Sequence, residues 1–157
     1  MSGTVGHSAK NDNRNDNKSD KERLVGSWIL VALTAGDGDT LPYGPNPKGT
    51  MMVDANGRFS ITVVRSDLPK FASNNRMTGT PDENKAVIQG CIAYFGTYRI
   101  DEATHVITVH VEGSTFPNFA GGTQTRILSF RGDDEVTYLN PTPSMGGTAK
   151  VTYRRST

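Results

Sequence analysis

Leu24-Val25-Gly26-Ser27-Trp28-Ile29-Leu30 is the first apolar run in the chain and carries its single tryptophan. The preceding residues 1–22 are dominated by Asn, Asp, Lys, Ser and Gly, with too little apolar surface to offset the entropy of ordering, so they read as a disordered polar leader. Everything after the run reads as strands returning to one core, which makes residues 23–157 a single domain. A large aromatic in a first strand can plug the end of a closed sheet, its ring filling the taper and its indole N–H seeking a backbone acceptor. An ordinary buried tryptophan is the competing reading, and Gly26-x-Trp28 alone does not choose between them.

The runs that follow have the period-two alternation and turn chemistry of strands. Residues 24–33 form the first, with both faces apolar as if one met a core and the other were covered. Residues 49–53 and 58–65 form a hairpin around Asp54-Ala55-Asn56-Gly57, whose Asn-Gly pair tolerates the positive φ angles of a tight turn. Strands are then expected over 93–100, 105–112, 123–131, 135–140 and about 147–155. One short helix is signed between strands three and four. Thr80-Pro81-Asp82-Glu83 supplies an N-cap hydroxyl, a proline for the first helical position and a glutamate three residues after the cap.

The connections alternate in length. Residues 34–48, 66–92, 113–122 and 141–146 are the longer ones, and 54–57, 101–104 and 132–134 are tight. In an up-and-down antiparallel meander alternate connections fall at opposite ends, so the pattern predicts a closed base and an elaborated mouth. Eight strands can close into an all-β barrel that removes exposed edges and holds packed side chains or one small ligand. A ligand would enter at the long-loop end.

Gly26-x-Trp28, the eight meandering strands and Arg154 in the last one resemble the lipocalin-like barrels of the calycin group. The small lipocalin-like domain of bacterial and fungal proteins is a closer likeness, spanning about 24–155. The stretches that carry it are Tyr43-Gly44-Pro45-Asn46-Pro47-Lys48-Gly49, Asn56-Gly57-Arg58, Phe71-Ala72-Ser73-Asn74, Gly79-Thr80-Pro81, Tyr94-Phe95-Gly96-x-Tyr98, His110-Val111-Glu112-Gly113-Ser114 and Phe116-Pro117-Asn118. The resemblance implies that Arg154 lies across Trp28 at the base. It implies a fold and no particular reaction, because function resides in sites and not in folds.

Composition excludes several function classes. Seventeen basic residues against sixteen acidic ones create no field that would recruit nucleic acid or a membrane surface. Cys91 is the single cysteine, which rules out an internal disulfide and a multi-cysteine metal site. His105 and His110 lie five apart on a strand and project to opposite faces, and His7 is in the leader, so no metal is expected. No glycine motif cradles a phosphate, and no Gly-x-Ser-x-Gly elbow is present, so no cofactor and no covalent nucleophile are expected. With no long apolar run at the N-terminus or elsewhere, the protein is expected to be cytoplasmic. Its expected partner is a small molecule, with a homodimer the one protein association considered.

The candidate site residues come from strand parity at the mouth. Thr108, His110 and Glu112 share one face of strand five and Ile107, Val109 and Val111 the other. Either face could point inward. With the polar face inside, His110 beside Glu112 would exchange a proton near neutrality, and Arg126 or Arg65 would stabilise developing negative charge. His110, Glu112 and Arg126 are then the catalytic set, and Tyr43, Arg65, Phe71, Tyr94, Tyr98, Phe116 and Gln124 the ligand-binding one. Mouth-loop aromatics such as Phe71 and Phe116 either form a lid or pack the loops down. Two functions fit: a cofactor-independent isomerase or cyclase of a secondary-metabolite pathway, a chemistry that the resemblance to related barrels implies, and a non-catalytic small-molecule binding or carrier protein.

Overall fold

Period-two burial runs through every strand of the computed structural model, which describes residues 17–157. The strands are β1 Gly26–Ala35, β2 Lys48–Val53, β3 Arg58–Val64, β4 Cys91–Asp101, β5 Val106–Ser114, β6 Thr123–Arg131, β7 Glu135–Asn140 and β8 Ala149–Arg155. Each pairs antiparallel with its sequence neighbours, and β8 returns to β1, so the sheet is a closed eight-stranded barrel. Closure leaves the aliphatic and tyrosine parity of each strand one place to go, the interior. Trp28, Met51, Ile61, Val63, Tyr94, Val109, Val111, Val136, Val151 and Tyr153 are all buried there.

The outer face of β1 is not covered, contrary to expectation: Ile29 and Val31 are 47% and 43% exposed. A bulge between Leu30 and Ala32 switches the strand's parity, so that Leu33 and Ala35 also face the core. Helix α2, Pro81–Gly90, lies in the connection between β3 and β4 and starts as expected. The Thr80 hydroxyl accepts from the Glu83 N–H, and the Glu83 carboxylate accepts from the Thr80 N–H.

The leader needs correcting at its end. Residues 1–16 of the expected disordered stretch lie outside the described residues, but Asp20–Leu24 is a helix, α1. Ser19 and Glu22 form a reciprocal capping box. The Glu102 carboxylate, on the β4–β5 turn, accepts from the N–H groups of Asp20 and Lys21 at 2.7 and 3.2 Å. Asp20 is itself buried and meets His105 Nδ1 at 2.6 Å, while Lys18 reaches Asp133 on the β6–β7 turn at 2.9 Å. These contacts seat Leu24, 1% exposed, as the stopper of the barrel's narrow end. Deleting residues 1–21 is therefore expected to cost about 1–3 kcal/mol through the lost cap and charged hydrogen bonds. Thermal unfolding should show a drop in Tm of roughly 3–10 °C. Deleting residues 1–16 alone removes none of these contacts and serves as the comparison.

At the same end Trp28 is fully buried, its indole N–H donating to the Leu24 carbonyl at 2.8 Å. The cation across its ring is Arg155, 4.3 Å from the ring centre, and not Arg154. The register explains the correction. Trp28 pairs with Arg155 across the seam, and Arg155 follows Val151 and Tyr153 on the inner parity, whereas Arg154 pairs with Ile29 and Glu135 and is exposed. Arg155 also donates to the carbonyls of Val25, Asp133 and Arg23, tying three segments over the indole. Gly26, at φ +139°, leaves the space its guanidinium occupies: a Cβ there would lie 2.6 Å from Nη1.

Candidate functional site

All four long connections meet at the end opposite Trp28. Between them lies a cleft of about 470 Å³, lined by Tyr43, Ile88 and Gln89 of α2, Cys91, Phe116 and Met145 among others. Tyr43, Ile92, Ser144 and Met145 also line a small void of about 40 Å³ just inside the barrel. Below it a second void, about 20 Å³, reaches down to Leu24. Ile61, Tyr94 and Tyr138 line both and form a waist between them. Each void is of the size that holds one or a few waters, so the interior in this state is nearly filled by side chains.

A chain of edge-to-face aromatic contacts runs from the mouth inward. Phe116 meets Phe119 at 5.1 Å between ring centres, Phe119 meets Tyr94 at 5.6 Å, and Tyr94 meets Phe59 at 5.9 Å. Of the two expectations for Phe116, packing the loop down is the one realised: the 3₁₀ turn Pro117–Phe119 drives Phe119 into the core and leaves Phe116 half-buried against it.

Arg126 projects inward from β6 and is 2% exposed. Its Nη1 donates to the Thr125 carbonyl at 2.9 Å, and its Nη2 donates to Gln124 Oε1 at 2.6 Å and to the Tyr94 hydroxyl at 3.4 Å. The guanidinium lies 5.8 Å from the centre of the Tyr138 ring. Arg126, Gln124 and Tyr94 are thus brought together by the parity Gln124, Arg126, Leu128 on β6 and by Tyr94 on β4.

His110 and Glu112 are not part of this group. Both are exposed on the outside of β5, because Ile107, Val109 and Val111 take the interior. The Glu112 carboxylate is paired with Arg58 at 2.6 Å, and hydrogen bonding to that guanidinium holds it below the usual carboxylate range. His110 stands between Thr97 and Thr123 in the outer polar row. Burying aliphatic surface outweighs burying an imidazole and a carboxylate, each of which would need a partner inside.

Arg65, Phe71 and Tyr98 also lie away from the inner lining. Arg65 is bound to Asp67 at 2.8 and 3.0 Å and to the Pro42 carbonyl at 3.5 Å, so it clamps the rim and does not line the interior. Phe71 packs on Gly79 within the loop before α2, where a Cβ would lie 2.6 Å from its ring. Tyr98 is buried but near the base, its hydroxyl donating to the Asp54 carbonyl at 2.7 Å in the β2–β3 turn. Tyr43 does line the inner void and the cleft, and burial raises its hydroxyl pKa above the ordinary phenol value.

Two tyrosines escaped notice in the sequence. Tyr138 on β7 and Tyr153 on β8 are fully enclosed, with ring centres 5.8 Å apart, and burial raises the pKa of both, that of Tyr138 strongly. They share parity with Val136 and Val151, the signal that would have placed them inside. The Tyr153 hydroxyl has no hydrogen-bond partner among the described residues, and neither has Arg126 Nε. No group of three His, Cys, Asp or Glu among the described residues is placed to hold a metal ion.

The chain is similar to the 4'-hydroxy-3'-methoxypropiophenone carrier protein ppsC of Aspergillus oryzae (strain ATCC 42149 / RIB 40), with 28% identity over 81 residues, 48% of this chain and 73% of that one. Among solved structures a redesigned β-barrel covers 87% of this chain and 95% of its own at 14% identity and a TM-score of 0.49. The fluorescent protein UnaG covers 86% of this chain and 98% of its own at 11% identity and a TM-score of 0.38. The sequence profile of the lipocalin-like domain matches residues 25–154, from the strand that carries Trp28 to the last residue before the arginine across it, and the chain belongs to that family.

Proposed function

We propose that the protein is a carrier for a small aromatic molecule bearing a carbonyl or hydroxyl oxygen, taken up through the mouth and held in the barrel beside Arg126 and the tyrosines. What carries the reading is the path itself. Cleft, upper void and lower void share lining residues in sequence, and that lining contains Arg126 and tyrosine hydroxyls but no histidine and no carboxylate. Neutral donors and one cation can orient an oxygen-bearing ring. General acid–base chemistry needs a group that exchanges protons near neutrality within reach of the ligand, and His110 and Glu112 are outside. The isomerase or cyclase reading loses its catalytic pair, and the Aspergillus relative, by name a propiophenone carrier protein, favours the alternative.

Entry would displace Tyr43 and Met145, which line both sides of the opening. Residues 142–147 fit that role, since the segment carries Gly146 and Gly147 at positive φ and forms no strand. A lone cysteine with no partner fits a reducing compartment such as the cytoplasm.

The test is titration with 4'-hydroxy-3'-methoxypropiophenone, read by quenching of Trp28 emission. Saturable quenching is expected, unchanged within about twofold by His110→Ala or Glu112→Ala, since neither residue reaches the path. Tyr94→Ala should weaken it about tenfold, the worth of one aromatic contact at roughly 1.4 kcal/mol. Consumption of the ketone that stops in His110→Ala would restore the enzymatic reading and overturn this one.

A further inference from the structure

Arg126 is the one buried cation among the described residues, and nothing around it is negative. The ion pairs Lys18–Asp133, Arg58–Glu112 and Arg65–Asp67 involve other residues, and the carboxylate of Asp20 is engaged by His105. The groups that face the guanidinium are neutral: Tyr94 from β4, Gln124 and the Thr125 carbonyl from its own strand, and the ring of Tyr138 from β7. Tyr138 and Tyr153 do not serve as counter-ions, because burial pushes both phenols further from ionisation. A guanidinium keeps its charge at any ordinary pH. The rest of the lining around it is apolar, Leu24, Met51, Ile107, Val109 and Leu128 among them. An unpaired charge in such a setting is unfavourable, and its Nε is left without any acceptor.

We infer that the ligand is bound as a phenolate, with Arg126 as its counter-charge; this rests on the carrier reading above. The neutral phenol gives its proton to water or buffer as it binds, and the oxygen that keeps the electron pair accepts from the guanidinium. The cost of desolvating Arg126 is already met by the fold, so an entering anion gains the full attraction of a preorganised partner. A nearby opposite charge favours the ionised form and lowers the phenol's pKa. A phenolate suits the cavity better than a carboxylate. Its charge is spread over a flat ring, it gives up less hydration, and its faces and edges match Tyr94, Phe119 and Tyr138. The unpartnered Tyr153 hydroxyl is a neutral donor close by for a second ligand oxygen.

The probe is 4-nitrophenol, whose anion absorbs visible light and whose acid does not, titrated with the full chain about one pH unit below its solution pKa. Binding is followed separately by quenching of Trp28. The anion band should grow with protein, corresponding to a downward shift in the probe's apparent pKa of about one unit or more. Arg126→Met should abolish that growth and Arg126→Lys should keep part of it. If either variant fails to fold, the wild-type spectrum still decides. Quenching with no growth of the band, or growth that persists in Arg126→Met, overturns the inference. Binding of 4-nitroanisole, the methyl ether, but not of 4-nitrophenol also overturns it while leaving the carrier reading in place. Binding of neither probe removes the carrier reading and the inference with it.

Discussion

Trp28→Ala is expected to destabilise the protein by about 3–5 kcal/mol, the usual cost of removing a fully buried large aromatic and leaving a cavity. The side chain is 0% exposed, donates to the Leu24 carbonyl and carries the Arg155 guanidinium on its ring. Arg155→Ala should cost less, because its exposed side is already solvated, but it releases three carbonyls, two at the end of α1 and one on the β6–β7 turn. The two losses should not add, since each residue holds the other in place. Arg154→Ala, an exposed change on the same strand, should fall within about 0.5 kcal/mol of wild type. Urea unfolding of the wild type, the three single variants and the Trp28→Ala/Arg155→Ala double variant measures all of this. Strict additivity, or a larger loss at Arg154 than at Arg155, would contradict the base as described.

The second large effect is expected at Gly96. Phe95 pairs with Gly113 and Gly96 with Val111, so Glu112 is an extra residue that bulges β5 against β4. The bulge brings backbone to backbone at Gly96: a Cβ there would lie 1.9 Å from the His110 carbonyl oxygen and 3.0 Å from the Glu112 nitrogen. No side chain can yield to relieve that contact. Gly96→Ala must part the two strands, and a loss of about 3 kcal/mol or more is expected, at or beyond the upper end for overpacking. Denaturation would report it as a much lower midpoint or as failure to fold. A variant of wild-type stability would mean that β4 and β5 do not meet this way.

What could be read in advance follows from how far each signal reaches along the chain. The Asn56-Gly57 turn and the Thr80 cap are short-range, and both are present, although in the turn Gly57 alone takes a positive φ, at +92°, while the Asp54 carboxylate accepts from the Arg58 N–H at 2.8 Å. The alternation of long and tight connections needed only a count, and it located the mouth. Ser19-Asp20-Lys21-Glu22 was an equally local capping box, hidden by the polar composition around it. The arginine across Trp28 depended on a register of one residue between strands from opposite ends of the chain, which no local signal carries.

The site itself was partly legible. On β5 one parity is wholly aliphatic, and burial favours that parity over His110 and Glu112. On β6 both parities mix polar and apolar residues, so nothing in the strand alone could decide between Arg126 with Leu128 and Thr125 with Ile127. Closure of the barrel decides it, because Leu128 and Phe130 then fill the base and carry Arg126 inward with them.

The seam between β1 and β8 has a kinetic consequence. Every other pairing joins sequence neighbours through a hairpin or a single loop, while Arg155 finds the Val25 carbonyl across a separation of 130 residues. Loop-closure entropy makes that contact the latest to be rewarded, so the meander from β2 to β7 should assemble first and the two ends should zip last. Trp28 and Arg155 stand on that seam. Substitutions there should leave the refolding rate almost untouched and speed unfolding instead, with φ-values near zero, whereas weakening the β2–β3 turn at Gly57 should slow refolding. The barrel's lifetime in the closed state is then governed by the very stack that plugs its base.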